Sequence, residues 1–217
     1  MKSMGYVTVR LDSKRVPRKS IREVGGIPLV QRAVTTLNEV DTISDTIVYC
    51  SDETIRNYIS PDLRYTFIPR SKQFDSDDAT FNDILESIVD GMDTDVIVYL
   101  SCTSPFITAE IITEMMYQVE HKGFDSAFAA TEARTFCWFN GKPLNYDPSN
   151  VPRTQDIYPV ILETSSVYIF HKGLFQKYSR RIGFNPYVKI VDPFAGWDID
   201  TPDDLLMAEV IGERIFR

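Results

Sequence analysis

A chain of 217 residues with 43% hydrophobic and 25% charged content is ordinary for one large globular domain that builds its own core. Its formal charge of −8 disfavours nonspecific nucleic-acid binding, and no apolar stretch reaches the roughly 18 residues of a membrane span. The three cysteines, Cys50, Cys102 and Cys137, form neither a zinc pattern nor an even disulfide framework; with no N-terminal signal-peptide core, a cytoplasmic location is the expectation.

The first half alternates two periodicities. Tyr6–Arg10 is short and β-branched, as a buried strand should be, and apolar residues recur at helical spacing between Pro28 and Val40. Thr46–Cys50 predicts a second strand, followed by a helix starting at Asp52, and Tyr65–Pro69 predicts a third strand. Asp78–Met92 predicts a helix capped by Ser76 or Asp77, with Phe81, Ile84, Leu85, Ile88 and Val89 on one side. Asp95–Leu100 predicts a strand running into a Ser-Cys-Thr-Ser-Pro turn; Thr108–His121 predicts an amphipathic helix and Ser126–Ala130 a strand. From Arg134 to about Ser149 the pattern breaks at Trp138, Phe139, Asn140-Gly141, Pro143 and Pro148, predicting a hairpin or irregular excursion. Val160–Phe170 and Pro186–Val191 are again strand-like. Thr201–Phe216 closes the chain as a helix, with Thr201 as N-cap and Pro202 as the first helical residue. Strands alternating with helices predict an α/β fold whose mainly parallel central sheet is covered by helices, with ligands beyond the carboxyl ends of its strands.

Three polar clusters fall at that edge, after Arg10, after Pro69 and after Leu100. The first is a local cationic island: six cations and one acid between Arg10 and Arg22 give +5 on an acidic chain, which suits a small polyanion. Ser13, Lys14, Arg15 and Lys19 supply donors and cations for a nucleoside triphosphate, although the loop is neither a Walker A nor a GxGxxG sequence. Near the C-terminus, Asp198 and Asp200 are two apart, so an extended segment sends both carboxylates from one face, the donor pair a hard divalent cation such as Mg²⁺ takes beside phosphate oxygens. Asp203 and Asp204 read instead as helix-dipole residues of the last helix.

Five motifs, in order from Arg10 to Leu205, resemble those of the cytidylyltransferases that activate acylneuraminate and 3-deoxy-manno-octulosonate. The first follows A-R-x-G-S-K-R-x-P-x-K-N and then G-x-P-L: Arg10, Ser13, Lys14, Arg15, Pro17, Lys19, Gly26, Pro28 and Leu29 match, while Val9, Asp12 and Ser20 depart. Arg70, Asp77, Ala79 and Thr80 match the second motif, and Thr103, Ser104 and Pro105 the third, where Ser101 replaces a glutamine and Ile107 an arginine. Arg153, Gln155, Asp156 and Pro159 keep the fourth, with Thr164-Ser165 in place of Asn-Gly; Asp198-Ile-Asp200-Thr-Pro keeps the fifth.

The resemblance implies a Rossmann-like nucleotidyltransferase fold and a homodimer whose excursion, about 134–186, crosses to the partner subunit. It implies an enzyme that joins CTP to a sialic-acid-like 2-keto-3-deoxy sugar acid. Arg10, Leu11, Ser13, Lys14, Lys19, Ser20, Arg70 and Asp77 would bind nucleotide; Ser101, Thr103, Ser104, Arg153, Gln155 and Tyr168 the sugar; Asp198 and Asp200 the Mg²⁺. Arg10, Lys19 and Asp200 would act in catalysis. The departures at Ser101, Ile107 and Thr164-Ser165 leave pseudaminic, legionaminic or octulosonic acid, or a phosphonate, as alternative acceptors, and a non-catalytic nucleotide-binding module as the other reading.

Overall fold

Alternating apolar residues in the first strand feed two cores at once, and this sets the architecture. The structure, a computed structural model, describes residues 1–216. In chain order, β1 (Ser3–Val9) leads to a hairpin of β2 (Glu23–Val24) and β3 (Ile27–Pro28), then α1 (Leu29–Asn38), β4 (Ile43–Cys50) and β5 (Thr66–Pro69). Next come α2 (Phe81–Val89), β6 (Val96–Leu100), α3 (Ala109–His121) and β7 (Ser126–Ala133). A small hairpin of β8 (Trp138–Phe139) and β9 (Lys142–Pro143) precedes β10 (Val160–His171), α4 (Lys172–Tyr178), β11 (Pro186–Ile190) and α5 (Pro202–Ile215).

Seven strands form one sheet in the order β11-β7-β10-β6-β1-β4-β5. All are mutually parallel except β10, which runs against both β6 and β7. Val7, Val9, Val48 and Val98 face α1 and α3 on one side; Tyr6, Ile47, Ile97 and Phe170 face α2 and α4 on the other. Strand alternation produces this division, and each fully buried side chain contributes roughly 1.5–3 kcal/mol.

The carboxyl ends of β1 and β6, two neighbours in the middle of the sheet, release Arg10 and Ser101 at one edge. Gly25 and Gly26 hold φ of 60° and 74° in the β2–β3 turn, the paired left-handed geometry of a tight hairpin, and this closes the loop that began at Arg10. Gly196 brings the last loop against the sheet: a Cβ there would stand 2.7 Å from Thr131 Cγ2 and 2.9 Å from Thr164 Cγ2. Any side chain at 196 would clash with those two methyl groups on the strands beneath, just before the segment that carries Asp198 and Asp200.

Three local expectations are corrected. The helix after Asp52 is a 3₁₀ segment, Glu53–Tyr58, although Asp52 caps it through the Thr54 amide as expected. Neither Ser76 nor Asp77 caps α2; Thr80 does, in a reciprocal box with Asp83, so α2 begins only at Phe81. The excursion is narrower than 134–186, because β10 and α4 belong to the main body, and only the stretch between β7 and β10 leaves the sheet. Its periodicity break was real, but the apolar alternation of β10 buries Tyr168 and Phe170 centrally.

Candidate active site

The cationic loop and the carboxylate pair, at opposite ends of the sequence, meet. Lys19 Nζ donates to the Ile199 carbonyl at 2.6 Å and to Asp200 Oδ1 at 3.1 Å; Arg15 Nη2 reaches the same oxygen at 3.0 Å. The lysine side chain is only 13% exposed, so it is a fixed charge rather than a waving one. Arg10 Nη1 donates to the Asp75 carbonyl at 2.9 Å and to Asp77 Oδ1 at 3.0 Å, and Lys14 Nζ reaches Asp77 Oδ2 at 2.5 Å. Those two cations, Lys14 first, hold the Asp77 carboxyl below its ordinary range. Ser20 is buried and donates to the Arg10 carbonyl at 3.2 Å, tying the two ends of the loop.

Arg10, Ser13, Lys14, Arg15, Lys19, Ser20, Asp77 and Thr103 line a cavity of about 510 Å³. A larger cavity of about 730 Å³, walled by Phe106, Ile107, Phe194 and Phe216, lies away from these charges. Donors and cations converge on the smaller one. Asp12 is exposed and does not line it.

Asp198 stands at the β6 end of the site. The Thr103 hydroxyl donates to its Oδ1, Ser104 Oγ lies 3.4 Å from that oxygen, and Ser101 Oγ is 2.7 Å from Thr103 Oγ1. Burial raises the Asp198 pKa, and the nearby Asp200 carboxylate adds to the rise. Asp204 is more than a helix cap. Its Oδ2 accepts from the amides of Asp200 at 3.0 Å and Thr201 at 2.7 Å, so the box that starts α5 also fixes the Asp200 backbone.

Six residues that the sequence placed at the site stand elsewhere. Arg70 has a side chain 2% exposed; it donates to Thr8 Oγ1 at 2.7 Å and pairs with Asp75 Oδ1 at 2.6 Å, pinning the segment that presents Asp77 instead of facing the cavity. A cation on a buried strand end finds its counter-ion inside the protein. Arg153 pairs with Asp156 at 2.7 Å in an exposed turn, and neither Arg153 nor Gln155 bonds any residue of the cluster. Tyr168 is 1% exposed and packs in the α2-side core, its pKa pushed up to about 12 by burial and by its hydrogen bond to Glu163. Ile107, placed with the acceptor, is buried in the α1/α3-side core. Leu11 packs partly buried against that same core and anchors the loop rather than lining the cavity. Ser165 takes φ 57° within the β10 irregularity, the left-handed conformation that a glycine would adopt freely.

Sequence reasoning missed Asp75, Ser51 and Arg181. Ser51 Oγ donates to Asp75 Oδ2 at 2.6 Å and completes the pin on Arg70. Asp75 sits five residues after Arg70, and that spacing was the available signal.

A family model described as cytidylyltransferase matches residues 4–205. The chain belongs to the cytidylyltransferase family.

This cytidylyltransferase is 25% identical over 223 residues to N-acylneuraminate cytidylyltransferase of Oncorhynchus mykiss, covering 97% of the chain and 50% of that relative. It is likewise 25% identical over 220 residues to N-acylneuraminate cytidylyltransferase A of Danio rerio, with the same coverage. The chain therefore spans about half the length of the curated relatives it matches. Among solved structures it resembles a CMP:2-keto-3-deoxy-manno-octonic acid synthetase complexed with CTP, with TM-score 0.73, 15% identity and 99% of each chain covered. That likeness establishes the Rossmann-like nucleotidyltransferase fold expected from the sequence. Among the described residues of this cytidylyltransferase, no helix is long and apolar enough to cross a membrane.

Proposed function

We propose that this cytidylyltransferase couples CTP to a sialic-acid-like 2-keto-3-deoxy sugar acid, giving the CMP-sugar and pyrophosphate. The observation that carries the reading is that the cavity lined by Arg10, Lys14 and Lys19 is tied to the carboxylate pair through its own lining residues, Lys19 and Arg15 bonding Asp200 and Thr103 bonding Asp198. The relatives named for N-acylneuraminate support the acceptor class.

Mg²⁺ belongs to the same reading. The donors are hard oxygens, and Asp198 is half-buried with its pKa raised, a charge that a divalent cation would stabilise. Among the described residues no group of three or more acidic, histidine or cysteine side chains gathers. Two carboxylates leave coordination positions for phosphate and substrate oxygens, as Mg²⁺ characteristically requires. When bound, the ion would orient phosphate and acceptor oxygens and lower the pKa of the attacking hydroxyl.

The chain's own groups would do the rest. The acceptor's anomeric 2-hydroxyl attacks the α-phosphorus, forming the new O–P bond as the bond to the departing pyrophosphate breaks and releasing the hydroxyl proton to solvent. Lys19, held rigidly by Ile199 and Asp200, and Arg10 offset charge on the phosphates; Lys14, 81% exposed, is free to exchange Asp77 for a phosphate oxygen. Ser13 adds a donor along the loop, Ser20 holds the loop closed through the Arg10 carbonyl, and Thr103 orients Asp198.

A homodimer through the excursion completes the proposal. Trp138, Phe139, Leu144, Val151 and Tyr158 are all exposed there, Tyr158 by 89%, a density of surface apolar groups that marks interaction sites. In a dimer Arg153 could serve the partner's site. Cys50, Cys102 and Cys137 are free thiols, two of them buried, which suits the reducing cytoplasm we assign.

Pyrophosphate release tests the reading, with CTP, UTP, GTP or ATP, a panel of ulosonic acids and a phosphonate, and Mg²⁺ present or chelated. Turnover with CTP, Mg²⁺ and an acid is expected; binding of CTP without turnover on any acceptor would reject the enzyme in favour of a binding module.

A further inference from the structure

Arg181 lies over Tyr168, whose ring is buried in the α2-side core. The Arg181 guanidinium lies 4.1 Å from the Tyr168 ring centroid and 4.8 Å from that of Phe81. Its Nη2 donates to the Tyr168 hydroxyl at 3.3 Å and stands 3.7 Å from Glu163 Oε1, the carboxylate to which that hydroxyl in turn donates. Nε and Nη1 have no hydrogen-bond partner among the described residues, and the side chain remains 28% exposed. Two aromatic faces therefore fix the plane of the fork, one corner is bonded to protein, and the other edge stays open. With Thr80, Phe81 and Ile182 it borders a surface cavity of about 490 Å³, beside the segment that presents Asp77.

Strand register ties this fork to the reaction site. Tyr168 lies opposite Tyr99, Val167 opposite Leu100, and the Ser101 amide donates to the Ser166 carbonyl at 2.8 Å. Tyr99 and Ser101 share a sheet face and stand roughly 7 Å apart along the strand, one pleat repeat. From Ser101 the hydroxyl chain runs through Thr103 to Asp198. Arg181 thus sits on the same face as the approach to the carboxylate pair, one repeat behind Ser101.

We infer that Arg181 binds the acceptor, its open edge taking a planar oxygen-bearing group of the sugar acid, either a carboxylate or an acyl carbonyl. This rests on the acceptor class proposed above. Arg153 is engaged with Asp156 in an exposed turn, whereas Arg181 is already stacked and oriented within the same protomer. A pre-positioned guanidinium gives two parallel hydrogen bonds to a carboxylate, or two converging ones to a single carbonyl oxygen, with little further ordering. Glu163 offsets the charge of Arg181, while Arg180 lines the same cavity with its guanidinium turned onto the Ile182 and Gly183 carbonyls, so recognition comes from the geometry of the Arg181 fork.

The test compares wild type with Arg181→Ala and Arg181→Lys. Pyrophosphate release is measured against acceptor concentration at saturating CTP, and against CTP at saturating acceptor, for one N-acylated acid and one bearing only hydroxyls. Arg181→Ala should raise the acceptor KM at least tenfold and leave the KM for CTP unchanged, with partial recovery in Arg181→Lys. Equal loss for both acids assigns the carboxylate; loss confined to the acylated acid assigns the carbonyl. An unchanged acceptor KM, or parallel rises in both KM values, overturns the inference. If wild type turns over no acid, the coupling reading fails, and calorimetric titration of the same acids into wild type and Arg181→Ala still decides the role of Arg181: weaker binding to the variant upholds it, equal affinity overturns it.

Discussion

Lys19 and Asp200 are 181 positions apart, yet the lysine Nζ lies 3.1 Å from Asp200 Oδ1 and 2.6 Å from the carbonyl of Ile199. The contact closes the cationic loop onto the loop preceding α5. It also pairs Asp200 with Lys19 and Arg15, the cations that the proposed reading assigns to phosphate oxygens.

Asp200→Asn should abolish nearly all pyrophosphate release, and Lys19→Ala should lower kcat by about 10²–10³, the usual loss for one preorganised electrostatic group. Circular dichroism should show an unchanged fold for both. Retention of most activity by Asp200→Asn would reject its role as a metal ligand.

Asp198 gives a pH signature. Its carboxyl holds its proton to higher pH in the folded chain than in the unfolded one, chiefly because it is buried. The folded state then binds more protons, so this group's contribution falls as pH rises from the unfolded value of about 3.9 through the raised folded value. Asp198→Asn should therefore melt above wild type at pH 7, with the gap closing toward pH 4, while losing activity. Each kcal/mol recovered is worth about 2–4 °C in a chain of this size. Calorimetry across that pH range is the check, and a gap that widens on acidification contradicts the assignment.

Arg70 is predicted to matter for stability. Its replacement by methionine leaves Asp75 without its cation at an 18%-exposed site, a loss of about 3–5 kcal/mol for a broken buried pair. Urea unfolding should show it as a lower midpoint. Arg70→Lys should rescue little, because one ammonium cannot serve both Thr8 and Asp75 in the same geometry.

Thr201 links stability to the site. Thr201→Ala removes one half of the box at the start of α5 and should cost about 1 kcal/mol. The Asp200 amide bonds the same Asp204 oxygen, so kcat should fall along with the melting temperature. A stability loss with unchanged kcat would separate the cap from the carboxylate.

Phe139→Glu and Tyr158→Glu place charge on the exposed apolar excursion. Light scattering should find the parent dimeric and the variants shifted toward monomer; a monomeric parent would exclude the proposed assembly.

Much of the fold could be read from periodicity because strands and helices have different apolar repeats. Val7 and Val9 in β1, Val96 and Val98 in β6, and the spacing of Leu29 to Leu37 in α1 each announced a buried face. Thr201-Pro202 fixed the start of α5 by local chemistry alone. Boundaries chosen by competing caps were less visible: Ser76, Asp77 and Thr80 are all plausible caps, and only Asp83 returning the bond selects Thr80.

The amino-acid order by itself determined the alternation of elements, the cationic loop after β1 and the paired carboxylates before α5, since each depends on neighbours within a few residues. Tertiary structure alone decided that Arg70 pins Asp75 inside the protein, that Arg153 stays in an exposed turn, and that Arg181 covers Tyr168. The physical reason is that a long cationic side chain is settled by whichever carboxylate or aromatic face folding brings within reach, and those partners lie on other elements whose positions no local pattern encodes.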